Sequence, residues 1–170
     1  MSSLPRVVER PHVAVVGAGA AGDEELELAA RVGSALAEGG AVVVCGGLGG
    51  VMAAAAAGAR RSGGTSIGIV PGPDRRQANE FVDVALATGM GEGRNVLVVR
   101  NADALVAVGG EFGTLSEVAL ALQAGIPVVG LGTWELSKGG RPVEAVLVAA
   151  TPEEAAAMAL REAARRMGRR

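Results

Sequence analysis

Short apolar segments rich in β-branched residues alternate with longer segments rich in alanine and leucine along the 170-residue chain. Each apolar segment is too short for a helix and almost continuously hydrophobic, which is typical of a strand buried on both faces. The predicted strands span residues 12–17, 41–45, 65–70, 104–108, 127–131 and 145–149, and the predicted helices span residues 23–38, 50–61, 94–101, 114–124 and 152–166.

This alternation of strands and helices implies right-handed βαβ units. We therefore predict the α/β class: a single Rossmann-like, doubly wound domain over residues 1–170, with a largely parallel sheet of six or seven strands and helices on both faces. Two polar segments, 71–80 and 133–142, interrupt the alternation and are predicted to be surface excursions. The first carries Asp74, Arg75, Arg76 and Asn79, which either cover a ligand or lie in solvent.

Composition excludes several kinds of function. The net charge is −2 and aromatic residues make up only 2%, so the chain has neither the basic face nor the stacking rings of a nucleic-acid interface. One cysteine and one histidine cannot build a disulfide framework or a Cys/His zinc site. We predict no resident cofactor and no metal.

The pattern of hydrophobicity also bears on location. No apolar run reaches the roughly 20 residues that span a bilayer. The start of the chain, residues 1–11, lacks the apolar region of a targeting signal. We therefore expect a cytoplasmic protein with no membrane partner.

Three glycine-rich turns, 17–22, 45–50 and 109–114, each directly follow a predicted strand. Because the carboxyl ends of parallel strands share one edge of the sheet, the three turns meet there, where open α/β sheets bind ligands. Backbone N–H groups of glycine turns and helix N-termini attract anions, which predicts a phosphorylated ligand, most simply a nucleotide. A tight turn explains any one cluster, but not all three together. The predicted binding residues are Gly17, Gly19, Gly46, Gly47, Gly110, Glu111, Phe112, Gly113 and Thr114.

The first cluster has the G-x-G-x-x-G spacing of dinucleotide-binding proteins. Such a site also needs an acidic residue near the end of the second strand, and that strand ends in Cys45-Gly46-Gly47. A conventional NAD site is therefore only an alternative.

The third cluster carries the more specific pattern. Gly110, Gly113, Thr114 and Glu117 follow the spacing P-G-G-x-G-T-x-x-E, and Arg94 lies upstream on a predicted helix. Residues 46–52 add G-G-x-x-G-V-M. In these motifs, over nearly its whole length, the sequence resembles the Lonely Guy and lysine decarboxylase-like family, and within it the subgroup that includes molybdenum-cofactor carrier proteins.

The resemblance implies a homodimer in which Arg94 and Glu117 are the catalytic pair of a nucleoside 5′-monophosphate phosphoribohydrolase, releasing free base and ribose 5-phosphate. Three residues depart from the motifs: Gly109 replaces proline, Glu111 replaces the second glycine, and Asn95 stands where the enzymes have lysine. The departures at positions 95 and 111 favour the alternative, a non-catalytic carrier of a phosphorylated ligand such as a nucleotide or molybdenum cofactor. The retained pair favours the hydrolase.

Residue chemistry leaves the same two possibilities open. A carboxylate such as Glu117 can stabilise the positive charge that grows on ribose during glycosidic cleavage, and the planar guanidinium of Arg94 suits phosphate. However, Thr114-x-x-Glu117 is also the spacing of a capping box, in which both side chains only stabilise a helix N-terminus.

Overall fold

The computed structural model describes residues 9–169 and confirms the α/β class. A seven-stranded sheet has the order β4-β3-β2-β1-β5-β6-β9, with neighbouring strands parallel. Its strands are β1 (His12–Gly17), β2 (Val42–Cys45), β3 (Thr65–Val70), β4 (Val84–Ala87), β5 (Ala104–Val108), β6 (Val128–Leu131) and β9 (Val146–Val148). Residues 1–8 and 170 lie outside the described residues, so the expectation about the start of the chain stays a prediction.

Five helices cover both faces of this sheet in the described part of the chain. One face packs against α1 (Asp23–Glu38), α2 (Val51–Arg61) and α5 (Pro152–Met167). The other face packs against α3 (Asn95–Arg100) and α4 (Phe112–Gln123). Each face buries its own cluster of valine, alanine and leucine side chains, as expected for strands that are apolar on both sides.

The strand predictions missed three short segments. Strand β4 lies at the edge of the sheet with Val84 and Leu86 about half exposed, so it lacks the buried apolar run that marks the inner strands. The predicted excursion 133–142 contains an antiparallel hairpin of β7 (Ser137–Lys138) and β8 (Arg141–Pro142). The intervening Gly139 and Gly140 adopt positive φ angles, as two-residue hairpin turns require.

Helices α1 and α2 pack closely because each places a glycine against the backbone of the other. A Cβ atom on Gly33 would lie 2.0 Å from the carbonyl oxygen of Ala55, and one on Gly58 would lie 1.9 Å from that of Ala30. The paired glycines therefore determine the separation of the two helices. The glycine turn 45–50 directly precedes helix α2.

We expect Gly58→Ala to destabilise the fold by about 1–3 kcal/mol, because the added methyl group separates the two helices. This loss opposes the intrinsic helix preference for alanine. The matched control is Gly113→Ala in α4, where an added Cβ contacts nothing within 4 Å. Urea unfolding measures both variants, and equal stability of the two would contradict the close-packing argument.

Candidate functional site

A cavity of about 740 Å³ opens at the carboxyl edge of the sheet, where strand order reverses between β1 and β5. It is lined by parts of all three glycine turns and by the 3-10 turn Gly91–Arg94 that precedes α3. Its volume is that of a small-molecule site. Of the predicted site residues, those lining the cavity are Gly17, Gly19, Gly46, Arg94, Glu111, Phe112, Gly113, Thr114 and Glu117.

Two predicted binding glycines, Gly47 and Gly110, do not line the cavity and instead belong to the turns around it. The carbonyl oxygen of Gly47 accepts hydrogen bonds from the backbone N–H (2.8 Å) and side-chain amide (3.1 Å) of Asn79. Gly110 has a φ of +102°, and a Cβ there would lie 2.5 Å from Thr114. Asn79 thus holds the second glycine turn in place, whereas neighbouring Asp74 and Arg76 pair with each other at 2.7 Å.

Arg94 is the most constrained side chain of the site, with only 8% of its surface exposed. Its Nη2 donates to the carbonyl oxygen of Gly46 at 3.2 Å, and its Nη1 donates to Oδ1 of Asn95. Nη1 also lies 4.0 Å from Oε1 of Glu117. Its buried Nε finds no hydrogen-bond partner among the described residues. A Cβ at Gly46 would come within 2.6 Å of Nη2, so only glycine admits the guanidinium there.

Glu117 is buried beside this arginine, with 7% exposure. Burial raises the pKa of its carboxyl group to about 7, although the nearby guanidinium of Arg94 partly opposes the shift. The capping-box interpretation is wrong: α4 begins at Phe112, Glu111 is its N-cap residue, and Thr114 lies already inside the helix. Glu117 is therefore a buried acid facing the cavity rather than a cap.

The N-termini of α4 and α1, two of the helix starts at this edge, differ in charge. No side chain in the described part of the protein caps helix α4. Its first residues Phe112, Gly113 and Thr114 line the cavity, so their N–H groups can meet an anion. Helix α1 instead begins with three acidic residues, 23–25, and Oε2 of Glu25 accepts the N–H of Gly22 at 3.3 Å. These carboxylates oppose the pyrophosphate that an NAD site would place there.

The departure at position 109 has a conformational reason. Gly109 has a φ of +52°, which the proline of the family motif cannot adopt because its ring holds φ near −65°. A Cβ here would also lie 1.8 Å from Oε1 of Glu25. The glycine thus allows the turn after β5 to pack against the start of α1.

Residues 95 and 116 form a link that the sequence did not indicate. The side-chain amide of Asn95 donates to Oγ of Ser116 at 3.2 Å, and that hydroxyl donates to the carbonyl oxygen of Gly113 at 2.7 Å. Both Asn95 and Ser116 line the cavity. In the sequence, Ser116 is recognisable as a short polar residue one turn after the start of α4, but the sequence does not show that its partner is Asn95 on another helix.

Three further side chains, those of Cys45, His12 and Trp134, lie beside the cavity or at a distance from it. Burial raises the pKa of the Cys45 thiol to about 11, so it packs as a neutral apolar group. His12 lies at the amino edge, where its Nδ1 is 3.2 Å from the carbonyl oxygen of Asn101. Trp134 packs against Phe112 of the same chain with ring centroids 5.5 Å apart. Phe112 itself remains 75% exposed.

Residues 9–169 contain neither a membrane-spanning helix nor a cluster of metal ligands. None of the helices described there is both long and apolar enough to cross a membrane. Within the same range, no group of three or more His, Cys, Asp or Glu side chains is arranged to hold a metal ion.

Comparison with known proteins defines the family. The chain belongs to the SLOG cluster4 family, whose model matches residues 10–160. An uncharacterized protein of Archaeoglobus fulgidus is 43% identical over 143 residues, covering 84% of this chain and 90% of that protein.

Solved structures extend the comparison. The molybdenum cofactor binding protein of Rippkaea orientalis is 34% identical, with a TM-score of 0.81 over 89% of this chain and 96% of that chain. The molybdenum cofactor carrier protein of Chlamydomonas reinhardtii is 36% identical, with a TM-score of 0.81 over 92% and 99% of the two chains. DNA processing protein A of Streptococcus pneumoniae shares the fold alone. It is 18% identical, with a TM-score of 0.67 over 87% of this chain and 61% of that chain. The resemblance to the subgroup with molybdenum-cofactor carriers is confirmed.

The raised pKa of Glu117 predicts a specific dependence of stability on pH. Glu117 contributes stability that is fully present below its ordinary pKa of 4.5 and is lost as the pH rises through about 7. Relative to Glu117→Gln, we expect the free energy of unfolding of the wild type to fall by roughly 2–3 kcal/mol between about pH 5 and about pH 8.

Urea unfolding of both proteins at the two pH values measures this difference, and the subtraction removes the contributions of all other groups. Parallel pH dependences in the two proteins would show that Glu117 titrates as an ordinary exposed acid.

Proposed function

We propose that this protein is a carrier that binds one phosphorylated small molecule of the molybdenum-cofactor class in the cavity at the edge of the sheet. The observation that carries the proposal is the meeting of two anion-binding features there: the uncapped N-terminus of α4 and the buried guanidinium of Arg94. Similarity to a molybdenum cofactor binding protein and a molybdenum cofactor carrier supports the choice of cargo.

The residues present fit a phosphorylated cargo. The first-turn N–H groups of α4 would bind phosphate oxygens, and Arg94 would supply the positive charge. A cavity of about 740 Å³ has room for a ligand that carries a ring system as well as a phosphate. Gly19, where an added Cβ would meet nothing nearer than 3.9 Å, leaves room for such a ligand to approach the backbone.

The charges around the cavity favour reversible binding of a phosphorylated ligand over very tight binding. Among the described residues that line it, Arg94 is the only positively charged side chain, whereas Glu92, Glu111 and Glu117 are acidic. Glu111 lies at the N-terminus of α4, where its carboxylate opposes an incoming phosphate. A phosphate is therefore held by oriented N–H groups and one cation against nearby negative charge, which suits reversible binding.

A second candidate function is hydrolysis of nucleoside monophosphates. The observation in its favour is the Arg94–Glu117 pair, because a carboxyl group with a pKa of about 7 is substantially ionised at neutral pH. In this reaction the ionised Glu117 would stabilise the developing charge on ribose while water adds to the anomeric carbon and the base leaves with a proton.

If the carrier proposal is right, protein purified from a host that makes molybdenum cofactor contains molybdenum together with a pterin. Arg94→Gln should lower this content about tenfold or more, since it removes a charge-assisted contact to phosphate. The matched control is Arg31→Gln, which removes an exposed arginine that pairs with Glu153 at 2.8 Å, away from the cavity. Equal molybdenum in all three proteins would contradict the proposal.

Chromatography after incubation with AMP separates the two candidate functions. The carrier account predicts that no free adenine appears. Release of adenine by the wild type, and its loss in Glu117→Gln, would instead establish the hydrolase.

A further inference from the structure

An oriented chain of hydrogen bonds connects Arg94 to the first turn of α4. Nη1 of Arg94 donates to Oδ1 of Asn95, the amide of Asn95 donates to Oγ of Ser116 at 3.2 Å, and that hydroxyl donates to the carbonyl oxygen of Gly113 at 2.7 Å. Because a guanidinium only donates, it requires the oxygen of the Asn95 amide and thereby turns the nitrogen toward Ser116. Each link therefore has one allowed direction.

Asparagine fits this position because it offers one acceptor and one donor without charge. Lysine, which the related enzymes have here, offers only donors and would face Arg94 with a second positive charge. Leucine has nearly the shape of asparagine but can make neither hydrogen bond. Among the described residues, the other polar partners of the guanidinium are the carbonyl oxygen of Gly46 at 3.2 Å and the more distant Glu117, 4.0 Å away.

We propose that Asn95 is a positioning residue that fixes the guanidinium of Arg94 relative to the N-terminus of α4, so that the two anion-binding features face one phosphate together. This proposal rests on the function proposed above. It assigns to the neutral residue at position 95 a role in ligand binding that acts through Arg94 rather than by direct contact.

The test compares Asn95→Leu with the wild type in two measurements. In ligand-free protein labelled with ¹⁵N, NMR detects the guanidinium signals of Arg94, identified by their disappearance in Arg94→Gln. We expect these signals to be shifted and averaged by faster rotation in Asn95→Leu. In calorimetry, we expect Asn95→Leu to weaken the binding of AMP and of inorganic phosphate about tenfold.

A double-mutant cycle tests whether the effect passes through Arg94. In an Arg94→Gln background, Asn95→Leu should change AMP affinity by less than about twofold, because its partner is already absent. The structural control is Asn101→Leu, which removes a side-chain hydrogen bond to the carbonyl oxygen of Leu97 at the far end of α3. It should leave the Arg94 signals and AMP affinity unchanged.

The outcomes separate this inference from the function on which it rests. Unchanged Arg94 signals in Asn95→Leu overturn the inference whatever the protein binds. Changed signals with equal AMP affinity in both proteins also overturn it, because positioning then has no effect on binding. Changed signals in a protein that binds neither AMP nor phosphate overturn the inference as well, because Arg94 then holds no phosphate, while the molybdenum content of the purified protein still tests the proposed function separately.

Discussion

A buried guanidinium must be surrounded by hydrogen-bond acceptors, and this requirement organises the edge of the sheet around Arg94. Its neighbours come from three separate elements: Gly46 after β2, Asn95 at the start of α3, and Glu117 on α4. They meet because the carboxyl ends of the parallel strands share one edge, and because residue 46 has no side chain to block the approach. Burial raises the pKa of Glu117, and Arg94 opposes this shift only in part, since its Nη1 lies 4.0 Å from the carboxylate rather than in direct contact.

Most of the fold was predictable because apolar periodicity and glycine turns are local signals. The inner strands and α1 lie where the pattern placed them, whereas β4 has an exposed edge and few large apolar side chains. The start of α4 was misplaced because Thr114 and Glu117 have the spacing of a cap, and only the backbone shows that the helix begins at Phe112. Likewise, the link through Asn95 joins two helices and depends on three-dimensional contacts that spacing alone does not encode.

The electrostatics of the cavity explain why the two candidate functions would use one set of residues. Oriented N–H groups and one arginine attract an anion, while the carboxylates around them limit how tightly it is held. The acidic start of α1 disfavours an anion at the most familiar phosphate position of this fold class, which is why the proposed phosphate position is the start of α4. With Asn95 in place of a second cation, the charge of the cavity agrees better with the proposed carrier than with the hydrolase.

The central claim is that phosphate binds where α4 begins and Arg94 is buried. Backbone amide NMR during titration with inorganic phosphate tests this location directly. The account predicts that the largest shifts occur at Phe112, Gly113 and Thr114, and that they are lost in Arg94→Gln. Shifts centred instead on residues 19–25 at the start of α1, or no saturable shifts at all, would contradict it.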